Sequence, residues 1–132
     1  MHEWALAESI ILTLVEKAKS ENKNVIESVE IVVGELQGID VEVFEFALNE
    51  LRNLAKEENN VIIKNFRIVE EKASFRCNRC GYVWRLDDTS LGAEARESIH
   101  FIPEAAHGFI QCPKCGSHDF EIVSGRGVYI RL

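Results

Sequence analysis

Two copies of one short cysteine pattern constrain this chain more than any other feature. The segments CNRCG and CPKCG span residues 77–81 and 112–116, and together they contain all four cysteines. A CxxC pair presents two thiolates to one tetrahedral ion, and the glycine after it permits a left-handed turn that aims backbone N–H groups at sulfur. The sequence therefore predicts one structural zinc ion, held by the thiolates of Cys77, Cys80, Cys112 and Cys115.

Other roles for these cysteines fit the pattern less well. A redox-active CxxC pair usually opens a helix after a strand, and one pair is enough for that chemistry. Two disulfides would conflict with a cytosolic protein. Because a site of four thiolates has no open position for water or substrate, we expect this zinc to stabilise a small module rather than to catalyse a reaction.

The rest of the chain predicts an α/β fold. Apolar residues at three-to-four spacing predict helices over residues 4–19 and 41–57, and Asp40 is a suitable N-cap for the second helix. Alternating apolar residues predict strands over 25–36 and 61–76, with a further strand near the C-terminus. We expect the two helices to pack on one side of a mixed three-stranded sheet, into which a zinc-ribbon-like module is inserted.

Several large side chains are expected on the buried faces of these elements. Trp4 begins the apolar stripe of the first helix, and Leu54 belongs to that of the second. In the second strand, Ile62 has the same parity as Phe66 and Ile68, which predicts that these three residues face the core together.

A change of strand parity near Glu70 indicates a bulge or a hinge, and it marks the boundary of a new module. We therefore predict an α/β domain of residues 1–74 and 119–132, whose last strand returns to the N-terminal sheet. The zinc module occupies residues 75–118. Its knuckles are separated by residues 81–111, more than a zinc ribbon normally needs, so this excursion is expected to have a role of its own.

The chain opens MHEW, and the helical pattern begins at once. The Met1 amine and the His2 amide nitrogen close a five-membered chelate ring, and the His2 amide and its own Nδ1 close a six-membered ring. The Glu3 amide is next in line. Ni²⁺ and Cu²⁺ favour planar or tetragonal nitrogen sets, so this end can hold a second, exchangeable metal. The alternatives are an early histidine without a role and a Glu3 that stabilises the helix dipole.

Three further histidines lie beyond the first module. His118 follows the second knuckle and is expected to be structural. His100 and His107 lie in the excursion, and each taken alone is expected to be a surface or packing residue. His100 and His107 remain of interest because a loop at this place could fold back over the amino terminus.

Composition excludes some classes of function. The chain has 132 residues and a net charge of −7, which argues against nucleic-acid binding because phosphate contacts need clustered Lys and Arg. Only Arg76, Arg79, Arg85 and Lys114, near the knuckles, support the alternative of a zinc-ribbon nucleic-acid adaptor. A metalloenzyme is a further alternative, but the sequence offers neither an open zinc site nor a paired acid and base.

No apolar run is long enough for a membrane span and no signal peptide is recognisable, so we expect a cytoplasmic protein.

Four features together resemble the HypA family of nickel metallochaperones for [NiFe]-hydrogenase maturation. These are the initial MHE, the segment VVGELQGI, the two CxxCG knuckles and the closing GRGVYI, and the likeness extends over the whole chain. The excursion with IHFIPEAAH resembles the archaeal branch. Trp4 stands where many members have a smaller or different residue, but it is not a ligand position.

The resemblance implies a non-enzymatic nickel carrier. It places nickel at the extreme N-terminus, with His2 as the indispensable histidine and Glu3 at the adjacent acidic position. It adds His100 as a nickel ligand, as in archaeal members, and it assigns the four cysteines to zinc. It also implies two partners, the GTPase HypB and the hydrogenase large subunit.

Overall fold

The computed structural model describes residues 2–132, so Met1 lies outside the described residues. The chain forms two compact units, and the first contains residues 2–32, Ile39–Val69 and Tyr129–Leu132. The second unit contains Val33–Gly38 and Glu70–Val128. The helices are α1 (Glu3–Ser20), α2 (Val41–Asn59), α3 (Ala93–Phe101) and α4 (Ala106–Phe109), and the strands are β1 (Val25–Gly34), β2 (Ile62–Glu71), β3 (Ser74–Cys77), β4 (Val83–Arg85), β5 (Phe120–Ser124) and β6 (Val128–Arg131).

In the first unit, α1 and α2 pack against each other, and the sheet has the strand order β2-β1-β6. The stripe predicted for α1 is buried along most of its length. In β1 the predicted face of Val29, Ile31 and Val33 is buried, but Val32 on the opposite face is buried as well. The Asp40 side chain accepts a hydrogen bond from the Val43 N–H, so it caps α2 as predicted. The predicted α/β fold class with an inserted metal module is confirmed.

Three of the expected core positions are wrong. Trp4 is 47% exposed and Leu54 is 44% exposed, while Ile62 is exposed and its neighbour Ile63 is buried. Trp4 lies in the first turn of α1, where Phe46 of α2 touches one edge of its ring without covering it. A helical stripe gives the direction of a side chain, but it does not show where along the helix the covering layer ends.

The second unit is built on a sheet of order β4-β3-β5, in which both pairs are antiparallel. Its core centres on Phe75, whose ring lies 5.6 Å from that of Trp84 and 5.3 Å from that of Phe120. The excursion between the knuckles also belongs to this unit, and it contains α3 and α4 instead of an open loop. Ala95 and Ile99, four residues apart, bury one face of α3.

The C-terminal segment divides between the two sheets, since β5 pairs with β3 whereas β6 pairs with β1. The break falls at Gly125 and Gly127, which both have positive φ, at 88° and 83°. Gly125 also lies so close to other backbone that a Cβ on it would sit 2.4 Å from the Ala73 Cα. The proposed domain limits at 74/75 and 118/119 stay predictions about folding units.

No helix in residues 2–132 combines the length and the hydropathy that crossing a membrane requires.

Candidate metal centre

The four cysteine sulfurs converge on one point in the second unit. All lie within 4.8 Å of one another, with the Cys77 and Cys115 sulfurs 3.5 Å apart and the Cys80 and Cys112 sulfurs 3.6 Å apart. These separations are too long for a disulfide, and the four thiols are free. A tetrahedral ion with metal–sulfur bonds of about 2.3 Å needs sulfurs about 3.8 Å apart, so the cluster has the size of a tetrahedral metal site.

The two knuckles have the same backbone structure. In the first, the Gly81 N–H donates to the Cys77 carbonyl, and in the second the Gly116 N–H donates to the Cys112 carbonyl, each at 2.9 Å. Both glycines have a φ of 77°. Residues that carry a side chain rarely adopt this left-handed conformation. The backbone of each turn therefore requires the glycine that the sequence predicted there.

Backbone N–H groups point at the Cys77 sulfur as expected. The N–H groups of Arg79 and Cys80 each lie 3.4 Å from it. Burial raises the pKa of the Cys77 thiol, but the hydrogen bonds from Cys80 and Arg79, together with those from neighbouring thiols, lower it to about 7. In Cys112, burial likewise raises the pKa, and bonds from the backbone N–H groups of the second knuckle outweigh that effect and lower it.

Cys115 shows why the cluster favours a cation. A hydrogen bond from the Ser117 N–H lowers the pKa of the Cys115 thiol, but burial and the three neighbouring sulfurs raise it to about 11. Four thiolates at this distance repel one another strongly. A divalent ion at the centre removes that repulsion, so the donor set and the backbone around it fit a bound metal.

The cluster is joined to the core of its unit. Cys77 and Cys112 are buried and belong to the same apolar cluster as Phe75 and Phe120, whereas Cys80 and Cys115 are exposed. The metal would therefore hold together both the knuckles and the apolar residues behind them. This arrangement is typical of a structural site.

His107 and His118 also have structural positions. The His118 Nδ1 lies 3.0 Å from the carbonyl oxygens of both His107 and Ile110, and the His107 Nδ1 lies 3.2 Å from the His118 carbonyl oxygen. The His107 ring also stacks on Phe120, with 4.3 Å between the ring centroids. These contacts tie α4 to the segment after the second knuckle.

One of the basic residues near the knuckles is already paired with an acidic side chain. Arg76 makes an ion pair with Glu121 on the adjacent strand. This pairing removes part of the only support for a nucleic-acid adaptor.

At the amino terminus, His2 directly precedes α1. Its side chain is exposed, and its carbonyl oxygen accepts the Leu6 N–H at 2.9 Å. Glu3 is 5% exposed, and its Oε2 accepts a hydrogen bond of 3.2 Å from the backbone N–H of Asp40. The sequence identified Asp40 as a helix cap but gave no sign of its contact with Glu3, because the two residues are far apart in the chain.

His100 lies in the last turn of α3 and not in a loop, and its side chain is half-buried. Its ring packs against Gly38, which sequence reasoning identified only as a strand breaker. The structure thus brings the four cysteines together. Nickel ligation by Met1, His2, Glu3 and His100 stays a prediction, and Met1 is outside the described residues.

Comparison with known proteins gives relatives that match over nearly the whole chain. The chain is 51% identical to the hydrogenase maturation factor HypA of Pyrococcus horikoshii over 132 residues, which cover 98% of this chain and 92% of the relative. It is 47% identical to the protein of the same name from Pyrococcus furiosus, with the same coverage of both chains.

Solved structures agree in fold. A solution structure of a HypA protein matches with a TM-score of 0.60 and 25% identity, covering 100% of this chain and 93% of the other. The solution structure of the Ni metallochaperone HypA from Helicobacter pylori matches with a TM-score of 0.58 and 23% identity, covering 100% and 95%.

One family model matches residues 1–132, and its description is hydrogenase/urease nickel incorporation, metallochaperone, hypA. A four-cysteine cluster that fits a metal is compatible with a metallochaperone family. The chain therefore belongs to the HypA family, a family of metallochaperones and maturation factors rather than enzymes.

Proposed function

We propose that this protein binds Ni(II) at its amino terminus and delivers it during [NiFe]-hydrogenase maturation, while a zinc ion in the cysteine cluster maintains the second unit. The observation that carries the proposal is the position of His2. This exposed histidine is the second residue of the chain, and α1 starts directly after it. Family membership supports the same function.

The proposed nickel ligands are nitrogens of the first three residues. They are the Met1 amine, the His2 amide and Nδ1, and the Glu3 amide, with His100 as a further imidazole ligand. Deprotonated backbone amides bind nickel in a planar or tetragonal set, so binding releases their protons to solvent. The Glu3 carboxylate is buried and accepts the Asp40 N–H, so we assign it a supporting role at the start of α1.

Zinc is the proposed occupant of the cysteine cluster. Thiolates select soft or borderline metals, and tetrahedral sets of four sulfurs are typical of zinc or iron. Zinc has no redox chemistry and would supply here only a stable cross-link between the knuckles. Because thiolates and nitrogens prefer different metals, the two proposed sites can hold their ions independently.

The proposed partners are those that handle nickel before and after this carrier. They are the GTPase HypB and the [NiFe]-hydrogenase large subunit. Ligands at the very end of a chain can be exchanged one at a time, so delivery to a partner needs no opening of a core. The support for both partners is membership of a family that acts in hydrogenase maturation.

The decisive experiment is nickel calorimetry on zinc-loaded, untagged protein and on its His2→Ala variant. We expect the variant to lose nearly all specific nickel binding and to retain its zinc. Among the side chains of the first three residues, only the imidazole of His2 offers a nitrogen that can form a chelate ring with the backbone. The matched control is His107→Gln, which removes a different imidazole and should leave nickel binding unchanged.

X-ray absorption at the nickel and zinc edges would then separate the two sites, with nitrogen-rich ligands at nickel and sulfur ligands at zinc. Equal nickel binding by the parent and His2→Ala would place the nickel site elsewhere in the chain.

A further inference from the structure

The ring of His100 packs against the backbone of Gly38, which has no side chain to oppose it. A Cβ added to Gly38 would lie 2.7 Å from the His100 Nδ1 and 3.1 Å from its Cγ. A Cβ and a ring nitrogen 2.7 Å apart would lie well inside van der Waals contact, which real side chains do not tolerate. The ring therefore keeps its place only because residue 38 is glycine.

Two elements of the second unit fix this contact. His100 follows Ile99, which is buried in the same apolar cluster as Leu36. Leu36 belongs to the 3-10 turn Glu35–Gln37, and Gly38 ends that turn with a φ of 58°. Burial of Ile99 anchors α3 on the turn, and the next residue of the helix then meets Gly38.

Two features favour glycine at residue 38: its positive φ and the close approach of the His100 ring. A comparison with another glycine of the same unit distinguishes the two effects. Gly127 also has a positive φ, at 83°, but a Cβ added there would have nothing within 4 Å. Both positions have a positive φ, so alanine strains the backbone at each, but only at residue 38 does it also strike a side chain. The contact with His100 can therefore be tested apart from backbone strain.

The contact also distinguishes the two ring nitrogens of His100. The Nδ1 is buried and is the ring atom nearest to the added Cβ. We propose that Gly38 is a positioning residue for His100, which seats the Nδ1 side of the imidazole against the backbone and leaves Nε2 as the nitrogen that binds nickel. This inference rests on the proposed function of His100 as a nickel ligand.

The second unit has space for a displaced His100 ring, so displacement does not require unfolding. A cavity of about 110 Å³ lies beside His100, and its lining includes Leu86, Leu91 and Arg96. A methyl group at residue 38 would turn the imidazole toward this space, while the packing of Ile99 remains. The expected result is a folded protein whose His100 nitrogens point in another direction.

The test begins with zinc-loaded, nickel-free protein. In two-bond ¹H–¹⁵N spectra, the imidazole signals of His100 should shift in Gly38→Ala and remain in place in Gly127→Ala. Unchanged His100 signals in Gly38→Ala would show that the ring is not seated by this glycine. If Gly38→Ala does not fold, Gly38→Asn serves instead, because asparagine tolerates a positive φ but still carries a Cβ.

Nickel isotherms of five proteins complete the test: the parent, Gly38→Ala, His100→Ala, the double variant and Gly127→Ala. We expect Gly38→Ala to weaken nickel binding by about tenfold, as displaced supporting contacts of metal ligands typically do. In the His100→Ala background, the same change should have no further effect. Gly127→Ala should bind nickel like the parent.

The two possible failures can be told apart. If His100→Ala binds nickel normally, His100 is not a ligand and the proposed function loses that residue, together with this inference. If His100→Ala weakens binding but Gly38→Ala does not, His100 is a ligand and Gly38 does not position it.

Discussion

The Glu3 carboxylate accepts a hydrogen bond from the backbone N–H of Asp40, which joins the first residue of α1 to the N-cap of α2. Asp40 in turn accepts the Val43 N–H through its side chain and the Phe44 N–H through its carbonyl. One buried acidic side chain therefore ties together the beginnings of both helices. It also fixes the chain directly after His2, where the proposed nickel site requires a defined backbone.

Loss of this carboxylate should destabilise the protein even when nickel is absent. We expect Glu3→Ala to lower the free energy of unfolding by about 1–3 kcal/mol, since it removes a hydrogen bond that a buried carboxylate accepts from the Asp40 N–H. Urea denaturation of zinc-loaded, nickel-free protein measures the effect. The matched control is Glu8→Ala, which removes an exposed glutamate from the same helix and should change stability by less than about 0.5 kcal/mol. Equal stability of the two variants would leave Glu3 without a structural role.

The two tryptophans should report opposite surroundings. Trp4 is 47% exposed, whereas Trp84 is 2% exposed and packs between Phe75 and Phe120. We expect Trp84→Phe, which retains only Trp4, to emit at long wavelength and to be quenched readily by acrylamide. Trp4→Phe should emit at shorter wavelength and resist quenching. Phenylalanine suits position 84 because the buried Trp84 Nε1 has no hydrogen-bond partner among the described residues, so the change breaks no bond.

If Trp4 is instead buried, as its place in the helical stripe predicted, both variants will be protected from the quencher. That result would contradict the exposed position of Trp4 at the start of α1.

The sequence predicts the parts of this fold that depend on local spacing. The stripe of α1 and the burial of Val29, Ile31 and Val33 follow directly from the period of a helix and of a strand, although Val32 is buried too. The cysteine cluster is predictable for a related reason. Each knuckle encodes its own turn, and a tetrahedral metal requires the two knuckles to meet.

The remaining features depend on contacts between distant parts of the chain. The hydrogen bond from Asp40 to Glu3 and the contact of Gly38 with His100 each join segments that no local pattern connects. Helix α3 has only Ala95 and Ile99 as buried residues, which is a weak periodic signal in a segment of nine residues. A search for apolar pairs four residues apart between the knuckles would have indicated it.

The cysteine cluster allows the final prediction, because it joins metal binding to the core of the second unit. Cys112 is 1% exposed and belongs to the apolar cluster around Phe75. We expect Cys112→Ser to release zinc and to unfold most of this unit, since structural zinc contributes on the order of 10 kcal/mol to small modules. Helices α1 and α2 should keep their protection from hydrogen exchange, because the buried faces of these helices belong to the first unit. Zinc content, limited proteolysis and amide exchange measure the three effects. The matched control is Lys114→Ser, an exposed position inside the same knuckle, which should retain zinc and protease resistance. If Cys112→Ser still holds about one zinc per chain in a protease-resistant unit, four-sulfur zinc ligation is the wrong description of this cluster.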